Sequence, residues 1–222
     1  MGNAFNANHF IILLHGAAWT VGLSATGFLG GSLLGFLVAL GRISPLRWVR
    51  GLTLVYVQLI QGTPLLILMF LGYFGLGIIG FDVPPLVAAG LAMTVYASAY
   101  LGEIWRGCLR SVPRTQWEAA ECLSFSSSQR LFFIIVPQAL RIATPPTVGF
   151  LVQIVKNTSL ASVVGFIELA RAGQVVNNAL FEPFIVFSIM AVLYFSLCYP
   201  LSLWAEALEK RLRVGRRTPL GN

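Results

Sequence analysis

The chain has 222 residues, 57% of them hydrophobic and only 10% charged, with a mean hydropathy of +0.80 and a formal net charge of +7. So much apolar surface is more than a soluble domain of this size can hide, which excludes a soluble enzyme or binding module and points to one membrane domain. The positive charge sits at the edges of apolar runs and in the tail, not on a folded basic face, so it speaks for membrane orientation and anionic lipid and against nucleic acid.

Uncharged runs at Phe10 to Gly41, Gly51 to Phe81, Val83 to Gly102, Ile142 to Val155 and Pro183 to Ala205 mark an all-α membrane protein. All but the fourth reach the span length of about 20 residues. The fourth is completed by Val136 to Leu140 below it and Leu160 to Ile167 above it. Five spans follow, at about 17–41, 53–80, 84–105, 131–155 with a broken extension to 167, and 183–208.

The first run lacks a basic segment ahead of it, so it reads as an uncleaved span and not a removable signal. His9 and His15 lie near its outer end and read as interfacial polar residues; their spacing does not put them on one helix face as metal ligands. Gly27, Gly30, Gly31 and Gly35 include a Gly-x-x-x-Gly spacing, which lets helices approach closely, either inside one subunit or between subunits. Gly72, Gly75, Gly77 and Gly80 punctuate the outer end of the second span.

Basic residues set the orientation, because Lys and Arg are retained on the cytoplasmic side. Arg42, Arg47 and Arg50 lie between spans one and two, and Arg106, Arg110, Arg114 and Arg130 between three and four. Lys210, Arg211, Arg213, Arg216 and Arg217 follow span five. The opposite side carries Asp82, Glu168, Arg171 and Glu182, so the N-terminus is expected outside and the C-terminus in the cytoplasm.

Between the third and fourth spans lies a polar, helix-forming insert at 113–136. Thr115 with Glu118, and Ser126 with Gln129, have the spacing of a capping box, which predicts two short helices joined near Ser124 and Phe125. Glu118 suits the positive end of the first helix, and Ala119 and Ala120 let a partner surface come close. Helix signals alone fit equally well a capped cytoplasmic hairpin that binds nothing.

In the fourth span, Lys156-Asn157-Thr158-Ser159 interrupts apolar sequence. Arg141 to Lys156 covers about 22 Å of helix, short of a hydrocarbon core of about 30 Å, so Lys156 falls beyond the midplane. Charge and broken backbone at that depth suit a ligand-lined pathway. Alternatively Lys156 snorkels to the outer headgroups while Asn157 to Ser159 cap a further short helix. Glu103, at the inner end of span three, either forms a local ion pair with Arg106 or faces the same cavity and meets a substrate amino group.

Cys108, Cys122 and Cys198 are isolated and suggest neither a disulfide nor a metal site. The sequence contains no phosphate-binding Gly-x-x-x-x-Gly-Lys-Ser/Thr motif and no nucleophile-base set, so no catalytic, cofactor or metal residue is assigned.

The string Thr115 to Pro137, TQWEAAECLSFSSSQRLFFIIVP, resembles the EAA loop of ATP-binding cassette (ABC) importer permeases. Gln61-Gly62-Thr63-Pro64, the run Ala99 to Arg106, Pro137 to Arg141 and Lys156 to Leu160 resemble the polar amino acid branch, which takes histidine, glutamate, glutamine, arginine or opines. These motifs keep the family order from about Trp19 to Arg211. Four positions depart from the pattern. Ser124 replaces the turn glycine, Thr115 the glycine before Gln-Trp, Gln61 the usual arginine, and Asn157 an acidic residue, which disfavours cationic substrates. At Ser124 the turn is expected to widen or to be held by the hydroxyls of Ser126 to Ser128.

The resemblance implies a type I ABC importer permease in the bacterial cytoplasmic membrane. It implies ATP and magnesium on a separate ATPase dimer, a second permease subunit, identical or paralogous, and an extracytoplasmic amino acid binding protein. Glu118, Ala119, Ala120 and Ser124 would couple to the ATPase, while Glu103, Lys156, Asn157, Thr158 and Ser159 would line the substrate pathway. A rival reading is a self-sufficient secondary transporter or channel, which would want mid-span carboxylates for ion coupling; a third is a membrane scaffold without transport.

Overall fold

The computed structural model describes residues 5–214, and every described element is helical. Arg216 and Arg217 of the basic tail lie outside the described residues. Helix α1 runs Ala7–Ile43. It opens on a reciprocal cap: the Asn6 side chain accepts from His9 N at 3.2 Å, and Asn6 N donates back to His9 Nδ1 at 3.2 Å. His9 is therefore a capping residue, which satisfies two of the amides that a helix start leaves open.

The glycines of α1 seat it on α5 (Pro85–Arg110). A Cβ at Gly27 would lie 2.9 Å from Met93 Cβ, and one at Gly31 only 2.3 Å from Ala97 Cβ. At Gly35 it would meet Leu101 Cβ at 3.1 Å. The Gly-x-x-x-Gly spacing thus serves packing inside the subunit.

Helix α2 (Arg47–Gly62) meets the helical stretch Leu65–Ile78, which opens with α3 (Leu65–Phe70), at a bend of 101°. The apolar run read as one span is therefore broken. Pro64 has no amide hydrogen and forces Thr63 into extended backbone, at φ −107° and ψ 128°. Thr63 Oγ1 donates to Leu59 O at 2.8 Å, which closes one of the carbonyls freed at the end of α2. Tyr56, 2.6 Å from Ser98 Oγ, and Gln61, through Nε2 to Ala99 O at 3.4 Å, tie α2 to α5. After α3 the chain makes a π-helical turn at Leu71–Gly75 and the short α4 (Leu76–Ile78), then turns at Gly80 with φ 88°.

Beyond α5 come α6 (Arg114–Cys122) and α7 (Ser127–Gln129). A π-helical turn at Arg130–Ile135 leads into α8 (Val136–Asn157), which continues as a 3-10 helix at Thr158–Val164. Helices α9 (Leu169–Leu180) and α10 (Pro183–Val214) complete the chain. Leu23, Met69, Met93, Leu101 and Ile154 centre the main core where α1, α3, α5 and α8 meet.

Four helical stretches are long and apolar enough to cross a membrane, Ala7–Ile43, Pro85–Arg110, Ser127–Val164 and Pro183–Leu212, and the bent pair makes a fifth if counted as one. Exposed Leu29, Leu33, Leu37 and Leu59 give these helices a lipid-facing surface.

Candidate functional site

Helix α6 begins two residues earlier than the sequence suggests. Pro113 sits at its N-cap with φ −53°, and its carbonyl accepts from Gln116 N at 3.0 Å. Thr115 is thus inside the first turn and caps nothing, because the proline ring already sets the entry angle. The second box forms as read: Ser126 Oγ accepts from Gln129 N at 3.3 Å, and Gln129 Oε1 from Ser126 N at 3.0 Å.

Ser124 takes the left-handed conformation itself, at φ 58°. Ser124 N donates to Glu121 O at 2.9 Å and Phe125 N to Ala120 O at 3.2 Å, so the turn is as tight as a glycine would make it. It does not widen, and the hydroxyls of Ser126 to Ser128 do not hold it. Left-handed backbone costs a residue with a Cβ about 1 kcal/mol, so Ser124→Gly is expected to stabilise the chain by about that much. A rise in the thermal unfolding midpoint in detergent would show it; an unchanged or lower midpoint would mean that the serine is held without strain.

The EAA triplet divides between two faces of α6. Glu118 and Ala119 are exposed, together with Ser124 and Leu123, the last at 73%. Ala120 is 3% exposed and faces the body of the chain. Behind it Trp117 packs with Leu109, Val112, Ile135 and Ala139. The outward strip thus carries one carboxylate, one small residue and one leucine.

At the other end of α8 the polar stretch is not a break. Thr158 Oγ1 donates to Val155 O at 2.8 Å, Ser159 Oγ to Lys156 O at 2.8 Å, and Ser162 Oγ to Ser159 O at 2.7 Å. Each hydroxyl takes a carbonyl three residues back, and the helix tightens into 3-10 winding instead of unwinding. It ends only at Gly165, with φ 88°.

The four polar residues point different ways. Lys156 and Ser159 line a cavity of about 390 Å³ with Tyr194, Cys198, Tyr199 and Ser202 of α10. Asn157 is half-buried beside Tyr96 of α5 and accepts from Gln153 Nε2 at 3.2 Å. Thr158 is fully buried. The Lys156 ammonium has no ion pair among the described residues.

Glu103 is not brought to them. Its carboxylate pairs with Arg42 of α1 at 3.3 Å and with Arg106 on its own helix. Asn157 stands level with Tyr96, about two turns or 10 Å of α5 away from Glu103. Arg42 is the partner that the sequence reading did not supply.

Glu168 does more than mark the outer side. It is fully buried, at 0% exposure. Placed just before α9, it accepts from Ala170 N at 2.8 Å, Arg171 N at 2.9 Å and Tyr194 Oη at 2.8 Å, and Thr20 Oγ1 approaches at 3.5 Å. Thr20 Oγ1 in turn accepts from Leu169 N at 3.1 Å. One carboxyl thus joins α1, α9 and α10. The short signal for it was a carboxylate one residue ahead of an amphipathic helix, the N-cap position.

Burial pushes the Glu168 carboxyl above the ordinary range, while its hydrogen bonds pull the other way. A raised folded value means that the folded chain holds this proton more readily than the unfolded one. The stability contributed is therefore full below the unfolded value and is lost as pH rises through the folded one. The difference in unfolding midpoint between the native chain and Glu168→Gln is expected to shrink as pH rises from the ordinary carboxyl value through the raised folded one. A difference that grows with pH would show that the hydrogen bonds outweigh burial.

Residues 31–214 match the family described as the binding-protein-dependent transport system inner membrane component. The chain belongs to this family. It is a multi-pass inner-membrane permease subunit of an ABC transporter, and not the catalytic one. The permease is 35% identical over 205 residues to the L-cystine transport system permease protein TcyB of Bacillus subtilis, covering 90% of this chain and 86% of that protein. It is 34% identical to the probable glutamine ABC transporter permease protein GlnM of the same organism, covering 92% and 95%. With the glutamine transport system permease protein GlnP of Escherichia coli the identity is 31%, covering 91% and 94%. A solved amino acid ABC transporter with histidines superposes with a TM-score of 0.88 at 26% identity, over 94% of this chain and 100% of that one. The MetNI methionine ABC transporter, at 19% identity and a TM-score of 0.75, shares the fold.

Proposed function

We propose that the permease forms the membrane pathway of an ABC importer for polar amino acids, glutamine-like or cystine-like, and is driven through α6 by a separate ATPase dimer that binds ATP and magnesium. The carrying observation is the outward strip of α6, with Glu118, Ala119 and Ser124 free to enter a partner groove while Ala120 and Trp117 hold the helix to the permease. In this reading α6 lies in the cytoplasm and the N-terminus outside, which the excess of arginines flanking α6 supports. A second permease subunit, identical or paralogous, closes the pathway, and an extracytoplasmic binding protein delivers the amino acid.

Within the pathway Lys156 is the candidate for the substrate carboxylate, since its ammonium faces a cavity without a counter-ion. Ser159 lines the same cavity; Asn157 and Thr158 shape the winding beside it. Glu103 is shared by two arginines and serves a substrate ammonium only in a state that releases one of them. Asn157 is uncharged and adds no carboxylate beside Lys156, which favours neutral cargo over cationic.

The test is affinity purification of the tagged permease from native membranes in mild detergent, followed by uptake of labelled glutamine and cystine in vesicles rebuilt from the purified complex. Recovery of an ATPase with a phosphate-binding loop, and ATP-dependent uptake of either amino acid, supports the proposal. A homo-oligomer that transports without any ATPase would replace it with a secondary transporter.

A further inference from the structure

Helix α6 is fastened to the base of α8 on both sides of the π-helical turn Arg130–Ile135. At the first residue of that turn, Arg130 Nη1 donates to Glu121 Oε2 at 2.8 Å. Beyond its last residue, Gln138 Nε2 donates to Gln116 Oε1 at 3.3 Å. The same Gln138 amide donates to Ile134 O, inside the turn, at 2.9 Å. Trp117 of the same helix packs against the cluster that holds Ile135 and Ala139.

Arg130 is mostly buried, reaches Ser127 Oγ at 3.5 Å as well, and keeps its Nε buried with no acceptor. An exposed ion pair adds little to stability, and Glu121 is 72% exposed. The value of this pair lies in where it attaches.

A π turn holds one residue more than the α winding around it, so rewinding it would rotate everything beyond it by about 100° relative to everything before. A short helix tied to both flanks of such a turn controls that rotation. Above the turn, α8 and its 3-10 extension run unbroken to Val164 and carry Lys156 and Ser159 to their cavity.

We propose that Glu121–Arg130 and Gln116–Gln138 form a clamp that makes α6 and the base of α8 one rigid body, and that movement of the docked α6 reaches the Lys156 cavity through it. Arg130 and Gln138 are positioning residues: they touch neither the ATPase nor the substrate. The inference rests on α6 being the ATPase dock.

The experiment uses the whole complex rebuilt in vesicles, with ATP hydrolysis and uptake measured together. In Arg130→Met the ATPase co-purifies in the native amount and hydrolysis continues, while uptake per ATP falls by about threefold or more. The charge swap Glu121→Arg with Arg130→Glu restores the ratio. Native uptake per ATP in Arg130→Met overturns the clamp, and so does loss of the ATPase from that variant, which would make Arg130 part of the dock.

A second measurement does not depend on Arg130. With Cys108, Cys122 and Cys198 replaced by alanine, Gln116→Cys and Gln138→Cys are oxidised to a disulfide. Uptake survives the cross-link if α6 and α8 move as one; its loss on oxidation and return on reduction would show that they slide, and the clamp is wrong. Failure of the dock itself reads differently, as Glu118→Lys that still holds its ATPase.

Discussion

Glu118→Lys is expected to leave the permease inserted and folded but stripped of its ATPase, with ATP-driven uptake down by about 30-fold or more. Glu118 is exposed on α6 and makes no ion pair among the described residues, so the fold does not need its carboxylate. A groove that receives it does. Placing a cation at the centre of such a contact costs about 2 kcal/mol or more, which sets the size of the loss. Co-purification of the ATPase and labelled amino acid uptake measure the two halves of the prediction. Native uptake in Glu118→Lys would take this residue out of the dock. Ala120→Leu should look different, because Ala120 faces inward: it pushes α6, with Trp117, off the α8 base, and the damage appears in stability as well as in coupling.

Gly31→Val is the substitution with the largest expected effect on folding. Its Cβ would stand 2.3 Å from Ala97 Cβ and 3.2 Å from the Ala97 carbonyl carbon, and the second of these is backbone that cannot turn aside. Separating α1 from α5 also disturbs Gly27 against Met93 and Gly35 against Leu101, so the cost exceeds the 1 to 3 kcal/mol of ordinary overpacking, at about 3 kcal/mol or more. The measurement is the unfolding midpoint in detergent together with the yield of inserted protein. Gly31→Ala with Ala97→Gly exchanges the methyl group across the contact and should recover much of what Gly31→Ala alone loses. A Gly31→Val chain as stable as the native one would mean that the contact of Gly31 with Ala97 does not hold α1 to α5.

What could be read from sequence was local. The Gly31 and Gly35 spacing, the Ser126 and Gln129 cap and the outward Glu118 each depend on neighbours within a turn or two, and periodicity carries that information. Thr115 failed for a local reason too: Pro113 had already set the helix entry, and a capping pattern two residues past the true N-cap looks the same on paper. The bend after Gly62 was hidden because a proline in an apolar run does not announce its angle.

Glu168 was hidden for the opposite reason. Its partners Thr20 and Tyr194 stand 148 and 26 positions away, and nothing in a single sequence says that three ordinary polar residues meet. The same distance concealed Arg42, 61 positions from Glu103, and so gave a two-residue pair where the fold has three. The polar stretch at Lys156 was legible as unusual but not as wound helix, since hydroxyls that bond back three residues are invisible until the backbone is known.

The corner between α2 and α3 makes demands on its surroundings. The first amides of α3, at Leu65 and Leu66, have no acceptor within their own helix, and the last carbonyls of α2 are only partly met by Thr63. Hydrocarbon does not tolerate such groups, whereas water or another protein surface does. A side chain added at Gly62 would find nothing within 4 Å, so the corner opens onto free space in the single chain. The second crossing is therefore a wet edge: in a bilayer the isolated permease would either draw water to that point or turn it toward a companion subunit.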